Sequence, residues 1–247
     1  MMNHIELGSE LLNYLAETSL QPGDRLPTIH ELTDENQLGI STSKVREQLS
    51  IARALGLVEV KTKNGMQLLP FDFKPAVLLT LLYALARDES YFDHFAALRV
   101  QLELAFWPDA CARLGASHFS AMRDCVAAAN AMLRTEPIRI PNREHRQFHL
   151  IMFHDLGNPF VIGLLEAYWE AYELVQRNRY RDYDYLRRVW DYHEQILEEL
   201  EQGAVEAARE LFIEHTRLLR IPPWRVSDLK HAMPFVAQRA SLHAERT

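Results

Sequence analysis

The sequence predicts a mainly α-helical protein, with a small N-terminal unit over residues 1–70 and an all-α helical bundle over residues 76–220. The first range alternates short helical patterns with turn residues and ends in two β-prone runs. The second range repeats apolar residues at helical spacing and contains few glycines or prolines. A proline-containing linker at residues 71–75 is predicted between the units, and residues 221–247 form a mainly polar tail.

Three helices are predicted in the first unit. Residues 5–17 carry leucines at helical spacing. A capping box formed by Thr28 and Glu31 begins a second helix, which is expected to reach Asn36. Ser41 is the expected N-cap of a third helix over Thr42–Leu55, which a glycine then ends.

A β-hairpin is predicted directly after the third helix. The runs Leu57–Lys61 and Met66–Leu69 are β-prone, and the Asn64-Gly65 dipeptide between them favours a tight turn. Three helices followed by a hairpin are the elements of a winged helix-turn-helix. In such a fold the third helix enters the major groove of DNA, and the hairpin is the wing.

Composition and charge restrict the functional classes. The 247-residue chain is 48% hydrophobic and 25% charged, which is ordinary for a globular protein. Its net charge is −7 and residues 1–70 are themselves acidic, so binding to DNA must depend on where the cations lie. The longest apolar run, Val77–Ala86, is too short to span a membrane. With no signal peptide visible and two cysteines outside any paired motif, a reduced cytoplasm is the expected location.

Three segments of the first unit carry a family resemblance. QPGDRLPTIHEL, LGISTSKVREQL and ARALGLVEVKTKNGMQL resemble, in order and spacing, the winged helix of GntR-type bacterial transcription regulators. The resemblance implies a protein that binds double-stranded operator DNA. The DNA-binding residues that it implies are Arg25, Thr28, His30, Ser41, Thr42, Ser43, Lys44 and Arg46, with Lys61, Lys63 and Gly65 in the wing.

Arg46 is the strongest candidate of this set. Its planar guanidinium is expected to make a bidentate contact with a guanine or a phosphate. His30 and Thr42 stand where the family usually has arginine, so two customary contacts are changed. A single serine, threonine or lysine in this region could equally be a cap or a solvated residue, and the prediction depends on the whole set.

Three histidines of the second unit lie on apolar helix faces. His149, His193 and His215 each share a face with hydrophobic residues and are expected to point into the bundle. Burying several imidazoles costs free energy unless each has a partner. A shared metal ion would satisfy all three.

The segments around these histidines resemble the FCD ligand domain of the FadR-like branch of the GntR family. They are LRVQLELAFWPDACARL, HRQFHLIMFHDLGNPFVIGLL and HEQILEELEQGAVEAARELFIEH. The resemblance implies His149, His193 and His215 as ligands of a divalent metal, with His145 where the family has aspartate. Four neutral imidazoles would favour zinc or nickel over magnesium or calcium. Two alternatives stay open: His145 turns away and leaves open metal positions, or the chain binds no metal.

Arg99 and Glu103 occupy the arginine and glutamate positions of the same family pattern. The resemblance implies that Arg99 binds a carboxylate of a small-molecule effector through its planar fork. The alternative is an intrahelical ion pair between the two residues, because they lie four positions apart.

These observations favour a homodimeric transcription regulator whose affinity for operator DNA is controlled by a small carboxylate effector. A metal-sensing repressor without an organic effector is the alternative. An enzyme is not expected, since the sequence contains no His-Glu-x-x-His motif, nucleophile elbow or phosphate loop. A purely helical scaffold would predict no DNA binding at all.

Overall fold

A computed structural model describes residues 5–61, 65–176 and 183–218. Backbone contacts divide the chain into two compact units, residues 1–79 and 80–247. The prediction of a mainly α-helical chain with one hairpin is confirmed. Among the described residues, every helix is too short or too polar to span a lipid bilayer. The predicted tail, residues 221–247, lies outside the described residues.

The first unit contains three helices and one antiparallel β-hairpin among its described residues. The elements are α1 (Glu10–Glu17), α2 (Ile29–Leu32), α3 (Thr42–Ala54), β1 (Val58–Lys61) and β2 (Gly65–Leu68). The hairpin pairs Val58 with Leu68 and Lys61 with Gly65. A small core holds these elements together: Leu11, Leu26, Leu32, Val45, Leu49, Ala52, Val58 and Met66.

Two helices of the first unit are shorter than the sequence pattern suggested. The helix expected from residue 5 begins at Glu10, because Ser9 caps it and Gly8 before it has a φ of +67°. The second helix ends at Leu32 and does not reach Asn36. Beyond it, the side chain of Asp34 accepts the backbone N–H of Asn36 at 2.8 Å, so a local turn replaces the helical ladder.

Helix α4 (Lys74–Arg87) runs across the boundary between the two units. The linker was expected over residues 71–75, but Lys74 and Pro75 already belong to this helix. Only residues 71–73 of that range are non-helical.

The second unit continues as helices through its described residues. They are α5 (Tyr91–Ala105), α6 (Trp107–Cys111), α7 (Ala116–Leu133), α8 (Asn142–Phe153), a 3-10 turn (His154–Leu156), α9 (Pro159–Gln176), α10 (Tyr183–Glu201) and α11 (Val205–Leu218). The single helix expected over residues 90–114 is two helices, because the chain breaks at Phe106 and Pro108 opens α6. The helix expected to reach residue 156 ends at Phe153, ahead of the left-handed Gly157.

Helices α7, α8, α10 and α11 pack around an aromatic core. Its fully buried side chains include Trp107, Phe148, Trp190 and Phe212, which contribute large apolar areas to the interior. Cys111 and Cys125 are both free thiols in this unit. Helices α8, α10 and α11 each bury a histidine-bearing face in this core.

Candidate metal centre and DNA-reading surface

Four imidazole rings meet inside the second unit. His145 and His149 come from adjacent turns of α8, His193 comes from α10, and His215 comes from α11. One ring nitrogen of each lies within 4.8 Å of the others, and the four side chains are buried. The four residues that the sequence singled out are thus brought together from three separate helices.

The ring of His193 is held in one tautomer by the backbone. Its Nδ1 lies 2.7 Å from the carbonyl oxygen of Val189, which can only accept a hydrogen bond. The proton therefore sits on Nδ1, and the Nε2 lone pair is left for the cluster. This Nε2 lies 3.3 Å from Nε2 of His149.

His215 has no hydrogen-bond partner for either ring nitrogen among the described residues, although the residue is completely buried. An unsatisfied buried polar group costs roughly 1–3 kcal/mol. Since each ring carries a lone pair that a metal ion can accept, the donor set fits a divalent cation. This orphaned ring is the observation that distinguishes the cluster from a satisfied polar core.

The orphaned ring leads to a stability prediction. Replacing His215 with leucine should raise the free energy of unfolding of the metal-free protein by about 1–3 kcal/mol, because an apolar side chain of similar size removes the unsatisfied nitrogens. Denaturant unfolding in the presence of a chelator measures the change, with the exposed His94→Leu as the matched control. A loss of stability specific to His215→Leu would show that the imidazole is satisfied in the metal-free protein.

Aromatic side chains exclude water from the four rings. The ring centroid of Trp169 lies 4.7 Å from that of His145 and 4.6 Å from that of His149, while Phe148 lies 4.4 Å from His193. Burial lowers the pKa of His193 to about 3, and it lowers the pKa of His149 and His215 well below the ordinary value. These three rings are therefore neutral at physiological pH, which is the form that binds a metal.

Arg99 and Glu103 form a buried ion pair next to the cluster. Nη1 of Arg99 donates to Oε2 of Glu103 at 2.7 Å, and both side chains are almost completely buried. Burial raises the pKa of Glu103 to about 7 despite the neighbouring guanidinium. The other oxygen, Oε1, lies 3.3 Å from Nδ1 of His149. The intrahelical pair that the four-residue spacing suggested is therefore present.

Two buried donors beside the cluster have no acceptor among the described residues. They are Nε of Arg99 and the indole Nε1 of Trp169. The guanidinium carbon of Arg99 lies 5.3 Å from the ring centroid of Trp169, so the two donors belong to one small region. Unpaired buried donors of this kind are the groups that an acceptor such as a carboxylate would satisfy.

Each of the two units matches a known protein family. Residues 94–218, half of the chain, match the FCD domain, and residues 6–68 match the gntR family of bacterial regulatory proteins. The chain is a GntR-family regulator with an FCD domain. The membership predicted from the sequence is confirmed, and the protein is a DNA-binding transcription regulator and not an enzyme.

Individual relatives agree with this assignment. The regulator is 24% identical to the Uxu operon transcriptional regulator of Escherichia coli, over 85% of this chain and 82% of that one. It is also 24% identical to the HTH-type transcriptional regulator YcbG of Bacillus subtilis, over 85% of each chain. The solved structure of Streptococcus agalactiae GntR has the same fold, with a TM-score of 0.61, 17% identity, and coverage of 85% of this chain and 95% of that one.

The predicted DNA-reading residues of α3 are all exposed at or near its N-terminus. They are Ser41, Thr42, Ser43, Lys44 and Arg46. Ser41 is the N-cap of the helix, with its hydroxyl accepting the backbone N–H of Lys44 at 3.3 Å. Arg46 makes no ion pair with any described residue, whereas Nζ of Lys44 lies 2.5 Å from Oε1 of Glu10.

The sequence reasoning missed the polar contacts that join α1 to α3. Gln48, on the recognition helix, is buried and accepts hydrogen bonds from the Ser9 hydroxyl at 2.9 Å and from the Leu11 backbone at 2.8 Å. Its amide nitrogen donates to the carboxylate of Glu10. These contacts fix the recognition helix against α1. A glutamine among apolar core positions of α3 was the available signal.

The remaining DNA-binding candidates lie at α2 and the hairpin. Thr28, His30 and Arg25 are exposed, and Thr28 forms the predicted capping box with Glu31. Lys61 is exposed and pairs with Glu59 at 2.5 Å. Lys63 lies outside the described residues.

Arg25 lies against Gly65, at the end of the wing that adjoins the turn between the two strands. Gly65 has a φ of +74°, and a Cβ added to it would come within 3.1 Å of Nε of Arg25. The backbone of Arg25 also forms an isolated antiparallel bridge with Gln67 of β2. The glycine thus leaves room for this cation beside the hairpin.

Replacing Gly65 with alanine should therefore have two effects. The left-handed backbone should lower the free energy of unfolding by about 1–2 kcal/mol, and the new Cβ should displace Arg25 and weaken operator binding. Gly8→Ala is the matched control, because Gly8 has a φ of +67° but no atom lies within 4 Å of the place that a Cβ would take. Equal loss of operator binding in both variants would contradict a role for Arg25 beside the wing.

Proposed function

We propose that this regulator binds a two-fold operator as a homodimer in the cytoplasm and holds a divalent metal ion among His145, His149, His193 and His215. The observation that carries the proposal is the meeting of four buried imidazole rings, one of which has no partner at either nitrogen. Helix-turn-helix dimers read two half-sites related by their own symmetry, which supports the dimeric form.

The separation of the ring nitrogens supports a compact metal site. Zinc–nitrogen bonds of about 2.0–2.1 Å in a tetrahedron place the nitrogens roughly 3.3–3.4 Å apart. The Nε2 atoms of His149 and His193 are already 3.3 Å apart, and the ring nitrogens of all four histidines lie within 4.8 Å of one another. Four neutral nitrogen ligands favour zinc or nickel, because magnesium and calcium prefer oxygen ligands.

A small carboxylate is the proposed effector. Four neutral imidazoles would leave both charges of the metal uncompensated, so the site would attract an anion. The unpaired donors of Arg99 and Trp169 beside the cluster could receive its oxygens. Binding of the effector would shift the population of conformations with different affinity for the operator.

A second candidate function is a repressor for which the metal itself is the signal. It is favoured by the presence of four protein ligands, because a tetrahedral site closed by four residues has no open position for an effector. The Arg99–Glu103 ion pair would then be a structural feature of the bundle.

Titration with zinc and with small carboxylates, followed through operator binding, separates the two candidates. A carboxylate response that requires zinc supports the effector-controlled regulator, whereas a response to zinc alone supports the metal sensor. The same titration repeated with nickel completes the test, and failure to bind either zinc or nickel would contradict the proposed metal site. Fluorescence anisotropy of a labelled operator provides the measurement at a fixed salt concentration.

A further inference from the structure

We infer that Glu103 positions His149 for metal binding by accepting the proton of Nδ1 and leaving Nε2 for the metal. The inference rests on the proposed metal site, and it concerns a residue that does not itself belong to the four-histidine cluster. Glu103 is thus a positioning residue that acts through His149.

One oxygen of the Glu103 carboxylate is paired with Arg99, and the other can still accept a hydrogen bond. Arg99 donates to Oε2 at 2.7 Å, while Oε1 is buried and has no aligned hydrogen bond to any described residue. Nδ1 of His149 lies 3.3 Å from this Oε1, and it too has no aligned hydrogen-bond partner. A small rotation of the imidazole would therefore satisfy both atoms at once.

This contact determines which nitrogen faces the cluster. The ion pair with Arg99 and a nearby metal cation both favour the ionised form of Glu103. A carboxylate oxygen can only accept a hydrogen bond, so in the metal-bound protein the proton of His149 would lie on Nδ1 and its Nε2 would bind the metal. Nε2 of His149 is the atom that lies 3.3 Å from Nε2 of His193. The two rings would then present the same nitrogen to one ion.

His193 has an equivalent arrangement on another helix. Its Nδ1 donates to the carbonyl oxygen of Val189 at 2.7 Å, which leaves its Nε2 for the cluster. One ring is oriented by a backbone carbonyl and the other by a carboxylate, the two acceptors that most often orient metal-binding histidines. Glu103 also places a carboxylate next to a ligand set that is otherwise made of neutral rings.

The first test measures zinc affinity by competition with a chelator for the natural protein, Glu103→Gln and Glu201→Gln. Glu103→Gln should bind zinc about 10–100-fold more weakly, as found when the outer partner of a ligand is lost. Glu201→Gln is the matched control, because Glu201 also pairs with an arginine, Arg123, but outside the cluster. Its zinc affinity should be unchanged.

The main result of the second test comes from the natural protein, so it does not depend on how well a variant folds. Long-range proton–nitrogen NMR correlations of the zinc-loaded natural protein should show the proton of His149 on Nδ1 and the metal at Nε2, and Glu103→Asp should retain this arrangement. If Glu103 were only a structural partner of Arg99, nothing would direct the metal to Nε2 of His149 in preference to Nδ1. A proton on Nε2, or equal zinc affinity in Glu103→Gln and the natural protein, would overturn the inference. A natural protein that binds no zinc would instead overturn the proposed metal site.

Discussion

Replacing His193 and His215 together with glutamine is expected to abolish metal binding and the response to effector. The binding free energy of a four-ligand zinc site is about 10–16 kcal/mol. Losing two of the four ligands should remove roughly half of it, which corresponds to zinc binding weakened by more than a thousandfold. Glutamine retains a polar side chain of comparable size, which limits the cavity left in the core. Isothermal titration with zinc and anisotropy of a labelled operator measure the two effects.

His94→Gln is the control for this experiment. His94 belongs to the same unit but is exposed and lies outside the cluster. Its substitution should change neither zinc binding nor the effector response. Operator binding without effector should persist in the double variant, because the recognition helix belongs to the other unit. Normal zinc affinity in the double variant would exclude the cluster as the metal site.

Arg46→Ala should have the largest effect on operator binding. Arg46 is exposed near the N-terminus of α3 and makes no ion pair with any described residue, so its charge is available to DNA. A lost arginine contact to a guanine costs about 1–3 kcal/mol, which corresponds to roughly 5- to 150-fold weaker binding. Operator binding measured over a series of salt concentrations also distinguishes the two kinds of contact. A phosphate contact reduces the salt slope by about one, whereas a base contact relaxes sequence specificity.

Two further substitutions on the same helix make this test specific. Arg53→Ala removes an exposed arginine from the last turn of α3, away from the end that enters the groove, and should have a much smaller effect. Lys44→Ala should lie between the two, because Lys44 is already paired with Glu10. Equal losses for Arg46→Ala and Arg53→Ala would contradict the proposed orientation of the recognition helix.

Capping and turn residues in the sequence were sufficient to predict the position of most helices and strands. The cap at Ser41 and the glycine after Leu55 placed α3 within one residue of its observed ends. The Asn64-Gly65 signal placed both strands of the hairpin. Signals failed where short-range competition decided the outcome: the Asp34 side chain ended α2 early, and Pro108 divided the helix expected over residues 90–114.

The sequence by itself determined the two units, the family and the four histidines, because periodicity and motif spacing are properties of local segments. Only the tertiary structure decided which atoms meet. The contact between Glu103 and His149 joins residues 46 positions apart. The hydrogen bond from the Leu11 backbone to Gln48 joins residues 37 positions apart. Such contacts depend on how the helices pack, and no pattern within a single helix specifies that packing.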